Sequence, residues 1–134
     1  PPKLAPFQVV IIPIYKSEDQ LNEITVEVNS LKAQLESLGI SVKYDNRNTH
    51  KPGWKFAEYE LKGVPIRISI GPRDIKEGTV EIARRDTMKK VVVDNTLVAD
   101  EVNKLSYTES FIIMNNEKII ERIKQLMKEK YFYY

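Results

Sequence analysis

A length of 134 residues, with 42% hydrophobic and 30% charged residues, 5 Gly and 7 Pro, describes a single globular domain and excludes a disordered or collagenous chain. With no cysteine and one histidine, the chain has no means of forming disulfides, thiolate nucleophiles, cysteine-based zinc sites or a His-rich metal centre, so no catalytic residue and no metal site is expected. The net charge of +2 is too small to specify a partner, no apolar run approaches the roughly 20 residues of a bilayer span, and Pro1-Pro2-Lys3-Leu4-Ala5-Pro6 is no secretory leader, so a cytoplasmic protein without membrane contact is expected.

Phe7–Ile14 is a near-continuous, β-branched apolar run, the pattern of a strand buried on both faces; Pro13 lacks a donor, so pairing should finish near Ile12. Ser17-Glu18-Asp19-Gln20 has capping-box spacing, and Leu21, Ile24, Val28, Leu31, Leu35 and Leu38 recur at helical steps until Gly39 closes the helix. Ile40–Tyr44 alternates as a strand, which makes residues 7–44 a βαβ unit with a parallel crossover. After a polar loop, Pro52-Gly53 opens a short helix that Gly63 ends, with Trp54, Ala57 and Leu61 expected to face inward.

Val64–Ile70 reads as a strand with Val64, Ile66, Ile68 and Ile70 on one face and Arg67 on the other. Gly71-Pro72 starts a turn or brief helix, Gly78 precedes a strand over Thr79–Arg84, and Lys90–Val93 is its antiparallel partner. A helical pattern begins after Asp94, Tyr107–Met114 is loop or a short strand, and Asn116 caps a further helix before an aromatic tail. The fold class is α/β: a three-layer domain with a five-stranded mixed sheet, mostly parallel with an antiparallel edge, flanked by helices. Residues 1–105 are expected to form the domain and 106–134 a C-terminal helical extension, either part of the same compact unit or a divergent tail.

Charge is unevenly placed. Residues 17–38 hold five acids against Lys32, a net of −4, whereas residues 45–90 hold eleven bases against seven acids, a net of +4. Phosphate contact and ordinary solvated surface both fit the basic middle. Where a phosphate-cradling glycine loop would follow the first strand stands Pro13-Ile14-Tyr15-Lys16-Ser17, and a phospho-accepting receiver would need acids there. Glu58 and Glu60, two apart on a helix, do not form an acid/base dyad.

Glu60, Arg67 and Arg73 fall near one segment, expected at a sheet edge close to the strand C-termini, where open α/β sheets bind ligands. An unstacked guanine offers N1–H and N2–H to a carboxylate and O6 and N7 to arginine, which one Glu and two Arg would satisfy. A Glu60–Arg67 surface ion pair beside a solvated Arg73 explains the same residues. Trp54 and Phe56 are base-stacking aromatics or core, His50 is a solvated loop residue, and Arg84-Arg85 is hairpin surface or a phosphate contact.

The ordered stretches Leu4–Ile14, Pro52–Arg67, Ile70–Asp74 and Arg84–Thr87 resemble the anticodon-binding domain of prolyl-tRNA synthetases of the type found in eukaryotes, archaea and some bacteria, over about residues 2–105. The resemblance implies a class II synthetase module that reads the two guanines common to proline anticodons. By the same resemblance Glu60, Arg67 and Arg73 are the anticodon-binding residues, with Lys55, Arg47 and Lys62 as weaker members of the set. It further implies a parent enzyme, a homodimer, that ligates proline to its tRNA with ATP and magnesium held in a catalytic domain upstream, no cofactor in this domain, and the tRNA anticodon loop as partner. An accessory or protein-interaction domain that kept the fold without reading tRNA, and a small-molecule α/β domain, are the other readings.

Overall fold

The chain is described by a computed structural model over residues 6–105. Val9–Pro13 form β1, and every residue in it is buried because the strand is covered on both faces. It pairs in parallel with β2 (Val42–Tyr44) on one side and β3 (Ile66–Ile70) on the other. Pairing runs through Pro13, opposite Ile70, one residue further than the missing donor suggested, because Ile14 supplies the next N–H to the Ile70 carbonyl at 2.8 Å. β4 (Thr79–Arg84) and β5 (Lys90–Asp94) continue the sheet antiparallel to β3, giving the order β2-β1-β3-β4-β5. The mixed five-stranded sheet is therefore as expected, but it divides evenly, two parallel and two antiparallel pairings, instead of being mostly parallel.

Helix α1 (Glu18–Ser37) is capped by Ser17 Oγ, which accepts from the Gln20 N–H, and it buries Ile24, Val28, Leu31 and Leu35. Leu38, the last member of that apolar stripe, is exposed because it is the C-cap and lies beyond the packed turns. With α3 (Pro72–Glu77) and α4 (Val98–Leu105), α1 covers one face of the sheet; Val98 and Val102 join Val9, Ile11, Ile66, Ile68, Ile70, Val80 and Ile82 in the main core. The other face carries, among the described residues, only one helix, α2 (Pro52–Leu61), whose Tyr59 and Phe56 pack with Val10, Ile12 and Val64.

Two expectations about this second face are corrected. Trp54, Ala57 and Leu61 do not face inward: Trp54 is 48% and Leu61 88% exposed, and the inward residues are Lys55, Phe56 and Tyr59. Helical periodicity scores Lys55 as polar, whereas Asp45 makes its burial possible. Val64 lies on the Arg67 side with Val10 and Tyr59, because it precedes β3 and strand alternation does not reach it. The expectations for Tyr107–Met114, the helix after Asn116, and the extension 106–134 lie outside the described residues.

Gly39 follows α1 at φ +80°, with open space where a Cβ would sit, so its requirement is purely conformational. Gly39→Ala is expected to cost about 1 kcal/mol in urea unfolding, while Gly53→Ala, in the first turn of α2 with equally open space, should be neutral or stabilise by about 0.5 kcal/mol.

Candidate nucleic-acid interface

Among the described residues α2 is the only helix on its face, and they leave the sheet beyond it uncovered where β3 begins and β4 ends. Register puts Arg67 beside Val10 and Ala83, Ser69 beside Ile12 and Glu81, and Lys90 beside Ala83, all on this open side. A cleft there is bounded by Phe56, Tyr59 and Glu60 of α2, Val64 and Arg67 near the start of β3, Ala83–Arg85 at the end of β4, and Met88 and Lys90 across the hairpin.

Arg67 is the central cation of the cleft. Its guanidinium carbon lies 3.9 Å from the centre of the Phe56 ring, a cation–π contact made in a partly dry setting. Burial pulls its pKa down, with the Glu81 and Glu60 charges acting in the opposite direction, and an arginine stays charged regardless. Among the described residues no carboxylate lies within 4.0 Å of it, and its buried Nε has no acceptor; Ser69 Oγ, two residues along the same face, is buried and unpaired as well. Buried polar atoms are almost always satisfied, which sets these two apart among the described residues; of the two, Arg67 lines the cleft and Ser69 lies beneath α2 beside Ile12. The Glu60–Arg67 ion pair, the alternative account of these residues, does not form, although both line the same cleft.

The remaining site residues are placed differently. Arg73 stands on α3 past the opposite end of β3, 87% exposed and paired with Glu77 at 3.3 Å, so the structure does not bring it into the cleft with Glu60 and Arg67. β3 is the middle strand of the five, not an edge, and the cleft sits where β3 starts and not beyond its C-terminus. Lys55 is buried, with its side chain 2% exposed; its Nζ donates to the Asp45 carbonyl at 3.1 Å and lies 3.9 Å from Asp45 Oδ1. As placed, it supports the fold of α2 and presents no ammonium at the surface. Arg47 and Lys62 share the Glu58 carboxylate, at 2.7 and 2.9 Å, which neutralises part of their charge.

These residues converge on Asp45, whose buried carboxylate accepts from Arg47 Nε at 2.9 Å, Arg47 Nη2 at 2.6 Å and Tyr59 Oη at 2.9 Å. Burial alone would raise the Asp45 pKa, but the hydrogen bonds from Arg47 and Tyr59 and the charge of Lys55 hold it well below the usual carboxylate range. Burial and the same carboxylate push the Tyr59 phenol up to about 12. A second cavity, of about 360 Å³, opens at the C-terminal end of β1 among Tyr15, Thr49, His50, Lys51 and Lys55. His50 is not a free loop side chain: its ring stacks on Trp54 at 3.9 Å and bonds Thr49 Oγ1 at 2.9 Å.

The sequence model of the family described as "Anticodon binding domain" matches residues 8–105. The chain belongs to the anticodon-binding domain family. It is 59% identical over 105 residues to the proline–tRNA ligase of Flavobacterium johnsoniae and 54% identical over 105 residues to that of Christiangramia forsetii, covering 78% of this chain and 21% of each relative. With the proline–tRNA ligase of Porphyromonas gingivalis strain W83 it shares 59% identity over 93 residues, 69% of this chain and 19% of that protein. The chain thus spans about a fifth of the length of the curated relatives it matches. No helix among the described residues is long and apolar enough to cross a membrane.

For this anticodon-binding domain, sequence reasoning named Glu60 and Arg67 but missed what surrounds them. Arg85 bonds the Glu60 carbonyl and Met88 borders the cleft at φ 57°. The Arg84-Arg85 step after an alternating strand was the available signal for the first; nothing in the sequence marked the second.

The Asp45 cluster sets a pH dependence. Its folded pKa lies below the unfolded value of about 3.9, so its contribution to stability is fully present above about pH 4 and is lost as pH falls toward the folded pKa. Asp45→Asn should flatten that acid limb in urea unfolding measured from pH 7 to pH 2, and at pH 7 should cost about 3 kcal/mol, the loss expected when one partner leaves a buried charge cluster.

Proposed function

We propose that this chain is the anticodon-reading part of a prolyl-tRNA synthetase, taking up guanines of the proline anticodon in the cleft between α2 and the β4–β5 hairpin. The observation that carries the reading is Arg67: a half-buried guanidinium stacked on Phe56, with an unpaired buried Nε, beside a Glu60 carboxylate it does not pair with. A guanine edge answers both groups at once, because its N1–H and N2–H donate to a carboxylate while O6 and N7 accept from a guanidinium fork. The Phe56–Arg67 pair adds a flat polarisable surface for a base unstacked from an RNA loop. Arg73 contributes as an exposed charge toward a phosphate or a neighbouring base, with Arg47 and Lys62 as weaker electrostatic contributors.

On this reading the whole protein ligates L-proline to its tRNA with ATP and magnesium bound in its catalytic domain, as a cytoplasmic homodimer, and the present domain holds no cofactor. What supports it is the identity to proline–tRNA ligases across the domain, together with the cleft chemistry.

The test is a ratio. Dissociation constants of the 134-residue chain are measured for a proline anticodon stem-loop and for one with its anticodon guanines changed to adenine. Glu60→Gln replaces an acceptor oxygen with a donor amide, and Arg67→Ala removes the donor fork. Each should reduce the discrimination by about 1–3 kcal/mol. A ratio that survives both substitutions in folded protein would remove the cleft as the reading site.

A separate expectation concerns salt. Phosphate contacts from the basic middle of the chain release counterions, so log affinity should fall linearly with log salt, by about 0.7 for each contact to a single strand. Affinity unchanged between low and moderate salt would place the RNA elsewhere on the domain.

A further inference from the structure

The hairpin that joins β4 to β5 closes one wall of the cleft, and one residue of it reaches across to the helix that carries Glu60. Arg85 makes two contacts there: its backbone N–H donates to the Pro65 carbonyl at 2.9 Å, and its side-chain Nε donates to the Glu60 carbonyl at 2.9 Å. The Glu60 carbonyl also receives the Gly63 N–H at 3.1 Å, so it is the fixed point of the α2 C-terminus. The last turn of α2 contains no basic residue, and the ammonium of its C-cap Lys62 is engaged by Glu58 at 2.9 Å. Arg85, 25 residues away in sequence, supplies the cation that this negative helix end favours. The tip of the same hairpin is held in an uncommon conformation: Met88 adopts φ 57°, with its N–H bonded to the Arg84 carbonyl at 2.9 Å. A non-glycine residue persists there only when its surroundings hold it, and Met88 borders the cleft.

We infer that Arg85 is a positioning residue for guanine recognition: it clasps the end of α2 and thereby sets the Glu60 carboxylate against the base, so it governs discrimination between bases and not only attraction to phosphate. The inference rests on the reading of the cleft given above. It departs from what two adjacent arginines in a hairpin suggest from sequence, which is a uniform phosphate contact. Arg85 is suited to positioning because its Nε is committed to a backbone carbonyl, which fixes the guanidinium plane, and among the described residues no carboxylate lies within 4.0 Å to divert it. Lysine cannot reproduce this, since an ammonium on a flexible stem lacks the rigid fork.

The experiment compares the full 134-residue chain with Arg85→Ala, Arg85→Lys, Glu60→Gln and the double variant Arg85→Ala/Glu60→Gln, measuring for each the ratio of dissociation constants for the guanine and adenine stem-loops. Lys76→Ala, on exposed α3 outside the cleft, controls for loss of one positive charge. Arg85→Ala should lower the ratio about tenfold, near the lower part of the range for one base contact, with Arg85→Lys between it and wild type. Lys76→Ala should leave the ratio unchanged. In the Glu60→Gln background, adding Arg85→Ala should change the ratio no further, because a residue that acts through Glu60 has nothing left to position. If Arg85→Ala weakens both stem-loops equally, with a salt slope shallower by about 0.7, Arg85 is a phosphate contact and the inference is overturned. If its effects add to those of Glu60→Gln, Arg85 reads the base directly and the inference is again overturned. Should the wild-type chain show no discrimination at all, the reading of the cleft falls and takes this inference with it. Should Glu60→Gln abolish discrimination while Arg85→Ala does not, only the inference falls. If Arg85→Ala fails to fold by circular dichroism, Arg85→Lys decides the matter through its ratio alone.

Discussion

The Asp45 carboxylate is the point from which the second face of the domain is organised. It stands at the end of β2, its own N–H bonded to the Ile11 carbonyl of β1, and it gathers Arg47, Lys55 and Tyr59 onto one buried group. Two of those partners belong to α2, one helical turn apart, so a single loop residue fixes both the distance and the rotation of the helix over β1. Rotation matters most. With Lys55 and Tyr59 drawn inward, Phe56 is carried over β3 to meet Arg67, and Glu60, four residues beyond Phe56, lands on the rim of the same cleft. A buried charge cluster is a weak source of net stability, and its value here lies in specifying one orientation of a ten-residue helix whose apolar residues, Trp54, Phe56, Ala57, Tyr59 and Leu61, point to more than one side and do not fix its rotation.

Arg67 shows what that orientation brings about. A cation on the middle strand of a sheet would ordinarily be paired or solvated; here it is neither fully, being stacked on an aromatic ring with one nitrogen dry and unpaired. The same geometry that leaves Arg67 unsatisfied keeps Glu60 from satisfying it. Two opposite charges held apart across a cleft lose the Coulomb attraction available to a closed pair, and they retain it for a ligand that bridges them. On the reading proposed above, the site is organised before a base arrives, which lessens the ordering cost of a small interface.

Most of the scaffold was legible in the sequence because local rules decide it. The β-branched run of β1, the Ser17 cap, the apolar steps of α1, Gly39 and the Pro52 start each act within a few residues of themselves, and the structure has them where the pattern put them. Arg67 could be assigned to the face opposite Ile66 and Ile68 by alternation alone. What was illegible depends on partners distant in the chain. The inward face of α2 read as Trp54, Ala57 and Leu61 because nothing local announces that Asp45 will make Lys55 a buried residue. Arg73 seemed a neighbour of Arg67 because six residues is a short distance along the sequence, yet a strand rises about 3.3 Å per residue and the two lie toward opposite ends of β3. Arg85 read as surface because its partner, the Glu60 carbonyl, is a backbone group with no signature in the sequence.

The position of the cleft follows from the same topology and departs from the general rule for open α/β sheets, in which ligands collect beyond strand C-termini. That rule assumes helices covering both faces, so that the only concavity lies at the ends of the strands. Here β1 and β2 obey it: α1 and α2 leave them on opposite faces, and the 360 Å³ cavity lies beyond the end of β1. The antiparallel half of the sheet escapes it, because the hairpin from β4 to β5 needs no crossover helix, and no described residue covers its α2-side face. Change from parallel to antiparallel pairing at β3 therefore creates the open surface, and Arg67 sits on the strand where that change occurs. A helix on one side of it and a hairpin on the other are enough to turn a flat sheet face into a cleft, with charged groups supplied from both walls and Phe56 of the helix stacked over Arg67 between them.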